Sequence, residues 1–252
     1  MTPRWPAFLR AAALTSALLL LACDQSGAGA QDASRVQPQT RTSASSAPVI
    51  VELFQSQGCS SCPPANAYLN RIADRGDVVA LSFAVTYWDQ LGWKDTFAKP
   101  AFTKRQRDYA RLGVGQVATP EMVVNGSVAV VGSNQVKFDR AIAEARFGLD
   151  APGLSVDADK VRVGASASKV AARIWLVRYD PKVRNVPIHA GENFGRTLPH
   201  RGVVRELVDL GSWNGKALSL DLPKARESGL RGVVLVQREP LGAIITARRL
   251  PG

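Results

Sequence analysis

The stretch Pro48–Tyr68, PVIVELFQSQGCSSCPPANAY, constrains this chain more than any other. A short apolar run of β type, Val49–Phe54, passes through polar residues and a glycine into Cys59-Ser60-Ser61-Cys62, and a helical pattern follows. A strand that delivers a C-x-x-C to the start of a helix is a redox arrangement when it lies in a βαβ unit. Residues three apart on a first helical turn are neighbours, roughly 5–6 Å apart at Cβ, which suits a disulfide. With Cys59 as the N-cap, free N–H groups and the helix dipole stabilise its thiolate and make it the attacking sulfur. Pro63 and Pro64 then fall in the first turn, where proline has no intrahelical hydrogen bond to lose. Two other readings stand beside this one: an inert structural disulfide, and half of a zinc site. Zinc needs two further ligands, and His189 and His200 lie more than a hundred residues away. Two histidines are also too few for a copper site, so no metal ligand and no cofactor is assigned.

The chain opens on a basic segment, MTPRWPAFLR, and an apolar run, Ala11–Ala22. The run is too short for a stable transmembrane helix and right for a secretory signal. Its end, Leu20-Leu21-Ala22-Cys23, resembles the lipobox of bacterial lipoproteins, which implies lipidation of Cys23 and attachment to a membrane. Cleavage after Ala28-Gly29-Ala30 is the competing reading and gives a secreted, soluble protein. In either case one cysteine pair remains in the exported part, where a disulfide is permissible. Residues 1–23 thus read as a lipoprotein-type signal peptide. Residues 24–47, rich in Ser, Ala, Gln and Gly, read as a flexible tether with a reach of roughly 25–30 Å. The expected place is the periplasm or cell envelope. The net charge of +11 is high, but Lys and Arg are scattered among acids with no run of five. That pattern argues against nucleic acid as a partner and for a basic envelope protein beside anionic membrane.

Residues 48–150 read as a first domain. Strand Val49–Phe54, a helix over Ala65–Ala73 and strand Val78–Val85 make a βαβ unit with parallel strands. An aromatic loop with Tyr87, Trp88 and Trp93 follows, then a basic helix over Pro100–Leu112. Asn125-Gly126 between Met122–Val124 and Val128–Val131 is a type I′ hairpin signal. An amphipathic helix over Asn134–Phe147 closes the domain. From Leu154 the pattern changes to short β runs: Val161–Val163, Ala171–Tyr179, Val186–Ala190, Thr197–Leu210, Ala217–Leu222, Gly232–Gln237 and Ala243–Arg249. Regularly spaced strands without long helical patterns predict a β-sandwich over residues 151–252.

The order of these elements resembles the thioredoxin superfamily, so the expected fold is an α/β thioredoxin-like domain followed by an all-β sandwich-like domain. The likeness is to a family of uncharacterised secreted bacterial proteins. It is carried by Val51-Glu52-Leu53-Phe54, Gly58–Ala65, Thr86–Asp89 with Gly92-Trp93, Arg105-Gln106, Thr119-Pro120 and the block Gly191–Arg205. It implies that Thr119-Pro120 holds a cis-proline facing the cysteines and frees a backbone group for substrate. Trp88 and Trp93 read either as substrate contacts or as packing, Glu52 either as a buried acid beneath the pair or as a solvent-facing residue. The block 191–205 is either a docking surface or scaffold.

The function expected is an exported thiol–disulfide oxidoreductase acting on thiols or disulfides of envelope proteins. Cys59 attacks, Cys62 resolves, and Thr119, Pro120 and Trp88 meet the substrate. A non-enzymatic envelope adaptor with a structural disulfide and a copper(I) metallochaperone are the alternatives.

Overall fold

The computed structural model describes residues 47–148, 151–167 and 170–251; Cys23, the leader and most of the tether lie outside them. Strands β1 (Val49–Gln55) and β2 (Val78–Ala84) pair in parallel, Val49 opposite Val78, and α1 (Pro63–Ile72) is their crossover. Every residue of β2 is buried, as befits a parallel strand covered on both faces. Helix α1 lays Ala65, Tyr68, Leu69 and Ile72 on the sheet, the spacing of one helix face. A 3-10 turn (Asp89–Leu91) precedes α2 (Pro100–Arg111), which buries Phe102, Arg105, Gln106 and Tyr109. Asn125 and Gly126, at φ of 45° and 64°, turn β3 (Glu121–Val124) into β4 (Val128–Val131), the signature of a type I′ hairpin. Helix α3 (Gln135–Glu144) starts at Asn134, whose side chain accepts from the Lys137 N–H.

The remaining strands are β5 (Leu154–Val156), β6 (Lys160–Val163), β7 (Ala172–Asp180), β8 (Arg184–Pro187), β9 (Thr197–His200), β10 (Val203–Trp213), β11 (Leu218–Asp221), β12 (Arg231–Arg238) and β13 (Ile244–Arg249). The expected α/β thioredoxin-like domain followed by a β-sandwich is not what they build. Among the described residues the fold is mostly β with three α-helices, and one mixed eight-stranded sheet, ordered β13-β12-β7-β10-β2-β1-β3-β4, runs through both halves. The reason is the outer edge of β2. A strand buried on both faces cannot leave a row of backbone groups unpaired, and Gly202 and Val203 fill it: the Ser82 N–H donates to the Gly202 carbonyl at 2.8 Å, and Val203 pairs with Ser82. Gly202 has a φ of +65°, and a Cβ there would collide with the Ala80 carbonyl, so the close approach requires glycine. Strand periodicity reports which residues face inward, not which sheet a strand joins.

One core crosses the join. Phe54, Phe83, Phe102 and Tyr109 pack with Val177, Val204, Val233 and Leu235 in a single buried cluster. The opposite face is covered by α1 and α3 over β1 and β3, and by the small sheet β11-β6-β5 over β7 and β12. Within the shared core, Glu52 is fully buried and paired with Arg105, Nη2 to Oε1 at 2.6 Å and Nε to Oε2 at 3.1 Å. Arg105 also donates to the Tyr109 hydroxyl at 3.0 Å and to Gln237 of β12 at 3.1 Å. Glu52 is therefore buried rather than solvent-facing, an ion-pair partner that ties the two halves together.

Candidate functional site around the Cys59–Cys62 pair

The pair sits where β1 ends. The Cys59 N–H donates to the Ser56 carbonyl at 3.2 Å, and the Cys62 N–H to the Cys59 carbonyl at 3.2 Å, so residues 56–62 form consecutive turns. Cys59 and Cys62 form a disulfide with Cα atoms 5.4 Å apart, and both side chains are fully buried while Ser60 and Ser61 are exposed. The N-cap of α1 is Cys62, not Cys59, with Pro63 and Pro64 at the first two helical positions. This alters the expected electrostatics. The two prolines delete two of the orphan N–H groups that a helix offers an anion, so a Cys59 thiolate would draw on hydroxyl and loop donors instead.

Thr119 and Pro120 face the pair. Cys59 Sγ lies 3.7 Å from the Thr119 carbonyl and 3.3 Å from Ser61 Oγ, and Ser61 Oγ lies 3.4 Å from the same carbonyl. The Thr119-Pro120 peptide is cis and Pro120 is buried. Trp88, half-buried, donates from Nε1 to Thr119 Oγ1 at 2.7 Å, so three of the residues singled out in the sequence meet the cysteines directly or through one neighbour. Behind them Gln106 links the Ala118 carbonyl at 2.6 Å and the Glu121 carboxylate at 3.0 Å. Burial raises the Glu121 carboxyl, and it pushes the Tyr87 phenol, which donates to Gln106, up to about 12.

Four residues hold the cysteine loop in place: Gln57 and Asp95, to which the sequence assigned no role, and Glu192 and Asn193 of the block 191–205. Gln57 is fully buried: its Oε1 accepts from Trp93 Nε1 at 2.9 Å and its Nε2 donates to Thr96 Oγ1 at 2.9 Å. Asp95 accepts the Gln57 N–H on Oδ2 at 2.7 Å and the Phe97 N–H on Oδ1 at 2.8 Å. Burial pushes its carboxyl up to about 6 against those backbone bonds. The second bond, to residue i+2, is an Asx turn, the one local signal that marks Asp95 in the sequence. From the second half of the chain, Asn193 donates through Nδ2 to the Gln57 and Cys59 carbonyls at 2.9 and 3.0 Å. Glu192 accepts the Ser60 N–H at 3.1 Å and the Ser60 hydroxyl at 2.6 Å, which hold its carboxyl below the usual range.

The block Gly191–Arg205 therefore docks on the cysteine loop through its first residues. Trp93 packs against His189, ring centroids 6.0 Å apart, and serves the Gln57 hub rather than an open wall. His200 is elsewhere: it is buried against Phe97 with neither ring nitrogen hydrogen-bonded, and burial pushes it down to about 4. Among the described residues no group of three His, Cys, Asp or Glu could hold a metal ion.

The chain is similar to protein AGR_C_4864 of Agrobacterium tumefaciens, known from an X-ray crystal structure. The match has 30% sequence identity and a TM-score of 0.66, over 82% of this chain and 95% of that one. No curated protein matches it. A family model described as a protein of unknown function, DUF1223, matches residues 50–237, and the chain belongs to that family.

Proposed function

We propose that the protein is an exported thiol–disulfide oxidoreductase of the cell envelope, lipid-anchored through Cys23, whose working pair is Cys59–Cys62. The observation that carries this reading is the apposition of Cys59 Sγ and Ser61 Oγ on the Thr119 carbonyl. It sets the Cys59–Cys62 pair against a backbone segment adjacent to a half-buried tryptophan. In its local parts, strand, C-x-x-C, helix and facing Thr-Pro, the site resembles that of the thioredoxin superfamily. Polypeptide substrates suit its rim, because Leu91, Val117 and Phe194, in the three segments that frame the pair, are large apolar side chains left exposed.

In the reducing direction the Cys59 thiolate attacks one sulfur of a substrate disulfide and expels the other as a thiolate. The Cys62 thiolate then attacks Cys59, which releases the second substrate thiolate and closes Cys59–Cys62, two electrons having passed to the substrate. In the oxidising direction the steps run backwards. A hydroxyl beside Cys59, from Ser61, donates to the thiolate while it waits, a role the two prolines leave unfilled by backbone. A structural disulfide is the second reading, and the complete burial of both cysteines favours it.

The reduction potential of the pair separates them. A value of about −120 to −270 mV, with disulfide exchange that Cys59→Ser abolishes, supports catalysis. A value below about −300 mV, with no exchange on model peptides, marks an inert disulfide.

A further inference from the structure

A second site lies at the other pole of the sheet. Strand β1 carries the cysteine pair beyond its C-terminal end. At the opposite end, where β1 and β2 begin, a cleft of about 310 Å³ opens between the α1–β2 turn and the ends of four other strand segments. Its lining includes Arg75, Arg201, Arg231 and Arg249, with Asp74 the one carboxylate among them. The topology concentrates these charges: Arg231 is the first residue of β12, Arg249 the last of β13, Arg201 precedes β10, and Arg75 lies in the turn before β2.

Two of the four are neutralised. Arg75 pairs with Asp77 at 2.7 Å, and Arg201 grips Asp74, Nη1 to Oδ2 at 2.6 Å, while Nε donates to the Pro181 carbonyl. The other two are not. Arg249 donates only to carbonyls, those of Gly76 and Val78 at 2.8 and 2.5 Å, which fix its position without cancelling its charge. The Arg231 guanidinium makes no hydrogen bond or ion pair among the described residues. Its field still reaches the cleft, because after the hydrogen bond from Arg201 it is one of the charges that lower Asp74.

The cleft thus combines one guanidinium held in place and one unengaged, and its four arginines face the two carboxylates of Asp74 and Asp77, a net of two positive charges. A phosphate monoester matches that set: it carries about −1.5 to −2 charges at neutral pH and three acceptor oxygens, and guanidinium forks meet phosphate oxygens two at a time. We infer that this cleft is a binding site for a phosphate oxyanion, with Arg231 and Arg249 as its ligands. Phosphate of this kind comes either from a small soluble ester or from phosphatidic acid, the lipid whose headgroup is itself a phosphate monoester. The Val49 N–H donates to the Asp77 carbonyl at 2.8 Å, so the chain enters the fold at this same pole.

The test titrates the full-length protein with inorganic phosphate by calorimetry at low ionic strength, with sodium chloride as the blank. In parallel, co-sedimentation uses vesicles of equal parts phosphatidylcholine and phosphatidic acid, with phosphatidylglycerol, a singly charged diester, in place of phosphatidic acid as the control. Arg231→Gln is the informative variant, because its side chain makes no bond the fold needs; Arg140→Gln, on α3, is the control. Saturable phosphate binding that Arg231→Gln weakens roughly tenfold, as expected for one charge-assisted hydrogen bond, supports the site. Binding to phosphate alone identifies a soluble ester. Vesicle binding lost in Arg231→Gln identifies a headgroup. Binding of neither probe, or binding that Arg231→Gln leaves unchanged, overturns the inference. None of these readouts involves the thiols, so the outcome is independent of the oxidoreductase reading.

Discussion

Asp95 and His200 are buried on neighbouring walls, each in contact with a different part of Phe97: its N–H bonds Asp95 and its ring meets His200. They load the native state in opposite directions over the same pH range. Asp95 titrates near 6 in the fold against 3.8 in the unfolded chain, so its contribution is complete below pH 3.8 and is lost as pH rises through 6. That loss amounts to about 3 kcal/mol at about 1.4 kcal/mol per tenfold change in proton affinity. His200 titrates near 4 against 6.5, so the unfolded chain takes up its proton first, and stability is lost as pH falls from 6.5 to 4, again by about 3 kcal/mol. In the native protein the two slopes offset one another between pH 4 and 6.5, and the pair leaves stability nearly flat there. Asp95→Asn removes one slope. The deficit of this variant relative to the native protein is therefore largest at pH 4, where it has lost hydrogen bonds and gained nothing, and shrinks by about 3 kcal/mol by pH 7. His200→Leu does the reverse and has its greatest relative stability at pH 4. Urea unfolding midpoints at half-unit steps from pH 4 to 7 measure both. A difference from the native protein that stays constant within about 0.5 kcal/mol across that range in Asp95→Asn would refute the reasoning, since a carboxyl that ionises at no cost is not held as the geometry requires.

Two further outcomes follow from the same contacts. Glu192 accepts the Ser60 N–H and hydroxyl beside Cys59, so its charge opposes a thiolate; in the reduced protein Glu192→Gln lowers the Cys59 pKa, read from the pH profile of iodoacetamide alkylation, and an unchanged profile contradicts this. Arg105→Met leaves the fully buried Glu52 carboxylate without its partner and costs about 3–5 kcal/mol in chemical denaturation, more than any surface arginine in the chain.

How much of this was legible in the sequence depends on the range of the interaction. The strand–C-x-x-C–helix unit and the I′ turn at Asn125-Gly126 are local, and the residues that form them carry the signal themselves. Most strands of the second half were also legible: β7, β12 and β13 fall where the runs Ala171–Tyr179, Gly232–Gln237 and Ala243–Arg249 place them. The run Thr197–Leu210 is continuous in its β pattern, but Gly202 at positive φ breaks it into β9 and β10. Sheet membership was not legible, because burial on two faces looks the same whether the neighbour is a sandwich partner or the next strand of one sheet. The cysteine pair and its Thr119-Pro120 partner were readable as motifs. The block 191–205 was readable as one that could dock, but the separate roles of Glu192 and Asn193 in it, and that of Gln57, were not, since they lie in contacts up to 136 residues apart.

Those distant contacts have a structural cause in the same sheet continuity. Strand β9 lies against α1, where Asn70 donates to the Pro199 carbonyl at 3.0 Å, and the next residues, Gly202 and Val203, join β2. The loop that leads into β9 is therefore fixed against the helix whose first turn Cys62 caps, and it arrives at the cysteine loop with Glu192 on Ser60 and Asn193 across Gln57 and Cys59. Opening the Cys59–Cys62 bond frees the two sulfurs to separate, and the carbonyl that Asn193 holds belongs to one of the two cysteines. Any movement of Cys59 is then resisted by a side chain from the second half, which is anchored through β9 and β10 to the common sheet. The geometry that holds the pair is a property of both halves together, and a protein cut back to its C-x-x-C half would present the same sulfurs in a loop with two of its restraints gone.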